Sequence, residues 1–166
     1  MSELLKKTYR PTLALTIILA VFILDQCSKQ WVFNYFQDHQ ERFVQLTDFF
    51  NITIAFNKGI AFSLFSQEDY SNNIFLSLAV IVTTIISYFL VKSSYKIEVV
   101  SYSLIIGGAV GNIVDRWRNG AVLDFIELHL SKYYWPAFNI ADSAICIGAF
   151  LLLYNMIIND LRKKNI

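Results

Sequence analysis

IFLSLAVIVTTIISYFLV, residues 74–91, decides the class of this chain. The run is apolar and carries no charge, and it approaches the ~20 residues that one helix needs to cross hydrocarbon. Working outward, three further apolar stretches stand at 11–24, 99–114 and 143–158. Each reaches spanning length only by taking in polar neighbours. The first must run on through Asp25-Gln26-Cys27-Ser28, with Lys29 snorkelling outward. The third must include Asn112 and Asp115, and the fourth must begin near Asp142. The expectation is a membrane α-helical fold with helices over 11–29, 74–91, 97–115 and 141–158, forming one domain over 1–166.

Composition agrees. The 166 residues are 55% hydrophobic and 16% charged, more apolar sequence than a soluble core of this length requires. The net charge of +1 gives no reason to expect a nucleic-acid partner. The two cysteines, Cys27 and Cys146, lie in or beside apolar runs without CxxC spacing, and their sparsity argues against a disulfide. The histidines, His39 and His129, form no HExxH, so neither a zinc site nor any other metal or cofactor is expected.

Basic residues set the topology. Lys6, Lys7 and Arg10 precede the first helix, Lys92 and Lys96 link the second and third, and Arg162, Lys163 and Lys164 follow the fourth. The positive-inside rule then puts both termini in the cytoplasm. The first helix reads as uncleaved, because Leu24-Asp25-Gln26 replaces a small-residue cleavage site. Between helices one and two, Trp31, Phe33, Tyr35 and Phe36 suit an interfacial segment. Phe50, Ile52, Ile54 and Phe56 alternate with Asn51, Thr53 and Asn57, a period-two strand. Asn57-Lys58-Gly59 offers a turn, with a return strand over 61–65, so a small extracytoplasmic β element is expected at 49–66. Asn51-Ile52-Thr53 matches a glycosylation acceptor, a tripeptide that arises often by chance.

Ionisable residues inside spans are costly, so each needs a partner or a task. Asp25 has Lys29 one helical turn on, and Asp115 is followed by Arg116; both read as structural pairs. Asp124 and Asp142 have no Lys or Arg within four residues. Two such carboxylates in one short outer loop point to a shared-proton pair, the chemistry of aspartic peptide hydrolysis. Other readings stay open on the residues alone. Asp142 fits a helix N-cap, and the two carboxylates would also serve a proton-coupled transporter or a four-helix assembly protein. Gly107 and Gly111 have GxxxG spacing, read as close helix packing. Asn112 reads either as helix glue or as a group that orients a carboxylate or substrate carbonyl.

Taken together, five blocks resemble the bacterial lipoprotein signal peptidases, the type II signal peptidases. They are Asp25-Gln26-Cys27-Ser28-Lys29, Asn57-Lys58-Gly59-Ile60-Ala61-Phe62, Gly107-Gly108-Ala109-Val110-Gly111-Asn112-Ile113-Val114-Asp115-Arg116, Gly120-Ala121-Val122-Leu123-Asp124-Phe125 and Phe138-Asn139-Ile140-Ala141-Asp142. The resemblance implies an aspartic endopeptidase of the cytoplasmic membrane, active near its outer face. Its implied substrate is a prolipoprotein carrying diacylglycerol on the lipobox cysteine, cut just before that cysteine. Asp124 and Asp142 match the catalytic dyad. Asn57, Gly59, Asn112, Arg116 and Asn139 match positions that shape or line the substrate site, and Asp25 and Lys29 match structural support. The resemblance also implies contact with membrane lipids and sensitivity to globomycin-type cyclic peptides. A monomer suffices.

Overall fold

The computed structural model describes residues 3–39, 41–59, 71–93 and 95–164. Helix α1 runs Glu3–His39, followed by strands β1 (Phe43–Thr47) and β2 (Phe50–Asn57). Helices α2 (Ser71–Lys92) and α3 (Lys96–Asn119) come next, then β3 (Val122–Leu130), β4 (Tyr133–Tyr134) and α4 (Ile140–Lys164). All four helices are long and apolar enough to cross a membrane.

The helices outrun the expected bounds for physical reasons. The sequence ended the first helix at Lys29, as a charge that must leave the bilayer. Lys29 is instead buried and paired, and neither Gly nor Pro interrupts the chain before His39. Trp31, Phe33, Tyr35 and Phe36 therefore lie on the last turns of α1 rather than in a separate segment. Likewise α3 continues past Asp115 to Gly120, whose left-handed φ of 70° lets its N–H close on Arg116 O at 3.1 Å.

The glycines of α3 set the packing. A Cβ at Gly107 would stand 2.9 Å from Val21 Cβ of α1, and one at Gly108 would overlap the Ala141 carbonyl of α4. The GxxxG expectation thus holds: α3 is the central helix, wedged against α1 and α4. Across from it, Gly148 of α4 lies so close that a Cβ would meet Ser101 O of α3 at 2.6 Å.

The β element is larger than expected. Four antiparallel strands stand in the order β1-β2-β3-β4. The alternation at 50–56 is β2, but its described neighbours are β1 and β3, while the expected return strand at 61–65 lies outside the described residues. One sheet face rests on the end of α1, where Val32 and Phe36 pack with Phe125 of β3 in the principal buried cluster. Of the alternating residues of β2, Ile52 and Ile54 pack against this cluster, whereas Phe56 is exposed and the polar Asn51 is buried. Asp124 accordingly belongs to a strand rather than to a loop, paired across the ladder with Ala55.

Candidate active site

The site grows from the start of α4. Asn139 precedes the helix and its Oδ1 accepts the Asp142 N–H at 2.8 Å. In return Asp142 Oδ2 accepts the Asn139 N–H at 3.3 Å. This is a reciprocal capping box, which satisfies two otherwise orphaned donors. The capping reading of Asp142 is therefore right, with Asn139 as the N-cap. It uses only one oxygen of Asp142, and the other, Oδ1, accepts Asn112 Nδ2 at 2.7 Å.

Asn139 also joins the two aspartates. Its Nδ2 donates to Asp124 Oδ1 at 2.6 Å, so one fully buried side chain is bonded to Asp124 while its oxygen and backbone fix Asp142. Asp124 Oδ2 accepts Asn57 Nδ2 at 3.0 Å. Gly59 is the support for that contact. Its N–H holds Asn57 Oδ1 at 2.8 Å, which turns the amide nitrogen toward Asp124. Gly59 has φ of 93°, a region that favours glycine, and a Cβ there would overlap the Phe75 ring.

Asp124 is 2% exposed. Burial pushes its carboxyl up to about 6, against the pull of the Asn57 amide and with a further push from Asp142. A cleft of about 330 Å³ opens on it, lined by Ala55, Phe56, Asn57, Lys58, Asp124, Pro136 and Ala137.

Behind the two aspartates lies a buried ionic layer. Lys29 Nζ stands 2.8 Å from Asp25 Oδ2 and 2.7 Å from Asp115 Oδ2. The expected i,i+4 pair is thus present, but Asp115 pairs with Lys29 and not with its neighbour Arg116. Successive helical residues diverge by about 100°. Asp115 turns to α1, while the Arg116 guanidinium feels the charges of Asp142, Asp124 and Asp115. Arg116 Nε is buried without a hydrogen-bond partner among the described residues. Asp25 does more than hold Lys29. Its Oδ1 accepts the Ala141 N–H at 2.9 Å, capping α4 from another helix.

The absence of cations near Asp124 and Asp142 in sequence therefore does not carry over into space. Sequence reasoning also passed over Gln26, whose Nε2 donates to Asp115 Oδ1 at 2.9 Å and to Asp25 Oδ2 at 3.2 Å. Its position inside the polar interruption of the first span was the available signal. Asn51 is buried and donates to Glu127 at 2.9 Å, which removes it as an accessible glycosylation acceptor. Cys27 and Cys146 are both free.

A buried carboxylate that lines a cleft and a half-buried one, both held by amides, have the parts of an acid–base pair. Known proteins show the same architecture. A family model described as signal peptidase (SPase) II matches residues 17–158. The chain is 41% identical over 149 residues to the lipoprotein signal peptidase of Pseudoalteromonas atlantica, covering 87% of this chain and 89% of that one. It is 41% identical over 152 residues to that of Shewanella sediminis, covering 90% and 85%. A solved bacterial membrane enzyme structure, obtained by the in meso method at 2.3 Å, matches with a TM-score of 0.76 and 30% identity over 92% of each chain.

Proposed function

Because this chain belongs to the signal peptidase II family, we propose that Asp124 and Asp142 are the catalytic dyad by which it hydrolyses its substrate. The chain is a membrane protease that removes the signal peptides of prolipoproteins. In this reading the substrate carries diacylglycerol on its lipobox cysteine and is cut just before it. Family membership sets aside the transporter and assembly readings.

One observation carries the assignment. A single buried residue, Asn139, bonds Asp124 through its amide nitrogen and Asp142 through its amide oxygen and backbone N–H. Two carboxylates that share one rigid partner are held in fixed mutual geometry, which an acid–base pair requires.

The proposed chemistry follows from the two environments. Asp142 is in the first turn of α4, with Oδ1 bonded to Asn112 and Oδ2 to the Asn139 N–H. It takes a proton from water as the water oxygen attacks the scissile carbonyl carbon. Asp124, raised by burial to about 6, supplies a proton to the carbonyl oxygen. As the tetrahedral intermediate collapses, the C–N bond breaks and the leaving amine takes a proton from the dyad. The two carboxylates act as one pair, so the labels acid and base describe one microstate. Asn57 and Gly59 hold Asp124, Asn112 and Asn139 hold Asp142, and Arg116 places a positive charge near both aspartates.

The orientation follows from charge. Arg10 donates to Ser93 O at 2.8 Å, so the start of α1 lies beside the α2–α3 link that carries Lys92 and Lys96, at the far end of α3 from the dyad. By the positive-inside rule that end, with both termini, is cytoplasmic, and the dyad lies near the outer face of the cytoplasmic membrane. A diacyl anchor held in the bilayer would present its scissile bond at that depth, with membrane lipids around it. Cyclic peptides of the globomycin type would compete for the same cleft. The dyad and the residues proposed to support it all belong to one chain, so a monomer would suffice.

The test is to incubate the detergent-purified protein with a diacylglyceryl prolipoprotein and to identify the released peptide by mass spectrometry. A cut immediately before the lipidated cysteine is expected. A well-folded protein that leaves this substrate intact would sink the proposal.

A further inference from the structure

Lys29 Nζ donates to Asp25 Oδ2 at 2.8 Å and to Asn112 Oδ1 at 3.1 Å, and it forms an ion pair with Asp115 Oδ2 at 2.7 Å; Asn112 is thus the third contact. The third contact is not needed to neutralise the lysine, since the two carboxylates already do so. Its consequence lies one residue further on. With Asn112 Oδ1 turned to Lys29, Asn112 Nδ2 points to Asp142 Oδ1 at 2.7 Å.

An amide can be turned over, and its two ends differ little in shape. Turning Asn112 would set its NH2 against the ammonium and its carbonyl oxygen against the Asp142 carboxylate, two buried repulsions at once. Asn139 Nδ2 also approaches Asn112 Oδ1, at 3.3 Å, but its shorter bond of 2.6 Å goes to Asp124. The ammonium at the oxygen end and the carboxylate at the nitrogen end therefore hold the amide in the same orientation, and Lys29 is the only full charge at the oxygen end among the described contacts. Lys29, Asn112 and Asn139 are all buried, so water is not at hand to substitute.

We propose that Lys29 is a positioning residue for catalysis: its ammonium locks the Asn112 amide so that an N–H always faces Asp142, holding that carboxylate in the rotamer from which it works on water. This role is additional to the ion pairs with Asp25 and Asp115, and it rests on the dyad assignment above. Losing the ammonium leaves the Asn112 oxygen held only by the longer Asn139 contact, so the amide can swing and Asp142 loses its fixed position. A misplaced catalytic group costs about 10²-fold in rate.

The test must separate this from loss of the ion cluster. Lys29→Met alone would strand two buried carboxylates. Lys29→Met with Asp115→Asn removes one charge of each sign and keeps the net charge of the cluster. Asp115→Asn alone keeps the bond from Lys29 to Asn112 and serves as the control. Cleavage rates in detergent are measured together with thermal unfolding. Asp115→Asn is expected to lower the melting temperature and to keep kcat within about threefold of wild type. Lys29→Met/Asp115→Asn is expected to melt near that control, with kcat lower by about 10²-fold and KM little changed. In an Asn112→Ser background the Lys29 change should cost no further kcat, because the lysine acts through the amide.

Equal kcat in Lys29→Met/Asp115→Asn and in Asp115→Asn would overturn the inference. If that double variant does not fold, Lys29→Met/Asp25→Asn beside Asp25→Asn decides, since it also keeps the net charge of the cluster: equal kcat in the two would overturn the inference, and a loss of about 10²-fold at constant KM would uphold it. Asp142→Asn, run alongside, keeps the two claims apart. Full activity in Asp142→Asn would overturn the dyad assignment itself. An inactive Asp142→Asn beside a fully active Lys29→Met/Asp115→Asn would remove only the role of Lys29.

Discussion

The polar side chains of the mid-membrane helices and those of the dyad layer satisfy themselves in opposite ways. In the helices, Thr83, Thr84, Ser87, Ser101 and Ser103 each donate to the carbonyl one turn earlier, at 2.6–2.8 Å. These bonds exist in any helix that contains the residue and specify nothing beyond it. In the dyad layer the bonds join distant parts of the chain: Asp25 to Ala141, Lys29 to Asn112, Asn57 to Asp124, and Asn112 to Asp142. Local bonds such as Lys29 to Asp25 occur there too, but these four partners come from other elements of the fold. The same cost of burying a polar group is met locally in one region and by tertiary structure in the other. Function accumulates where the bonds are distant.

Breaking a distant bond should therefore cost far more than breaking a local one. Asn139→Ala removes the side chain that bonds Asp124 and caps α4 beside Asp142. It should lower kcat by about 10³-fold and destabilise the fold by about 2 kcal/mol, read by cleavage kinetics and thermal unfolding.

Protonation gives the next effect. Catalysis by the proposed scheme needs the proton on Asp124, which burial raises from 3.8 to about 6. Raising the pH removes that proton, so kcat/KM should fall about tenfold per unit above about pH 6. The stability sign agrees: the folded state keeps a proton that the unfolded chain releases, so the contribution of Asp124 is fully present below about pH 4 and is lost as pH rises through about 6. A kcat/KM that stays level from pH 6 to 8 would exclude Asp124 as the acid in the free enzyme.

Packing comes third. A Cβ at Gly111 would approach Asp25 Oδ2 to 2.6 Å, disturbing the carboxylate that caps α4. Gly111→Ala should cost about 1–3 kcal/mol of stability, with about a tenfold loss of kcat as the layer shifts. Ser103→Ala should do least, because the lost bond is local. Its stability should stay within about 0.5 kcal/mol of wild type and its rate within about twofold. A large loss from Ser103→Ala would erase the contrast between the two regions.

The same contrast marks what the sequence could disclose. Local signals were legible: the apolar runs gave the four spans, Gly107 and Gly111 the close packing of α3, and the alternation at 50–56 the strand β2. The partners in the dyad layer were not. Asp115 beside Arg116 looked like a pair, but the helix turns them to different neighbours, and Lys29 of α1 takes Asp115. Strand β3 was missed because Asp124 and the apolar residues around it are all buried, which hides the period-two pattern that exposed β2. Residue types and isolation made Asp124 and Asp142 stand out, and the family resemblance gave them a role. That Asn139 ties them together required coordinates, because its three contacts to them depend on the junction of β3 with α4.

The central claim is that Asp124 and Asp142 act as one catalytic pair. The most direct measurement is the rate of prolipoprotein cleavage in detergent by wild type, Asp124→Asn, Asp142→Asn and the double variant, with folding checked by thermal unfolding. The account predicts that all three variants fold and that each single change abolishes nearly as much activity as both together, a loss of about 10³-fold or more. Substantial cleavage by either folded single variant would contradict it.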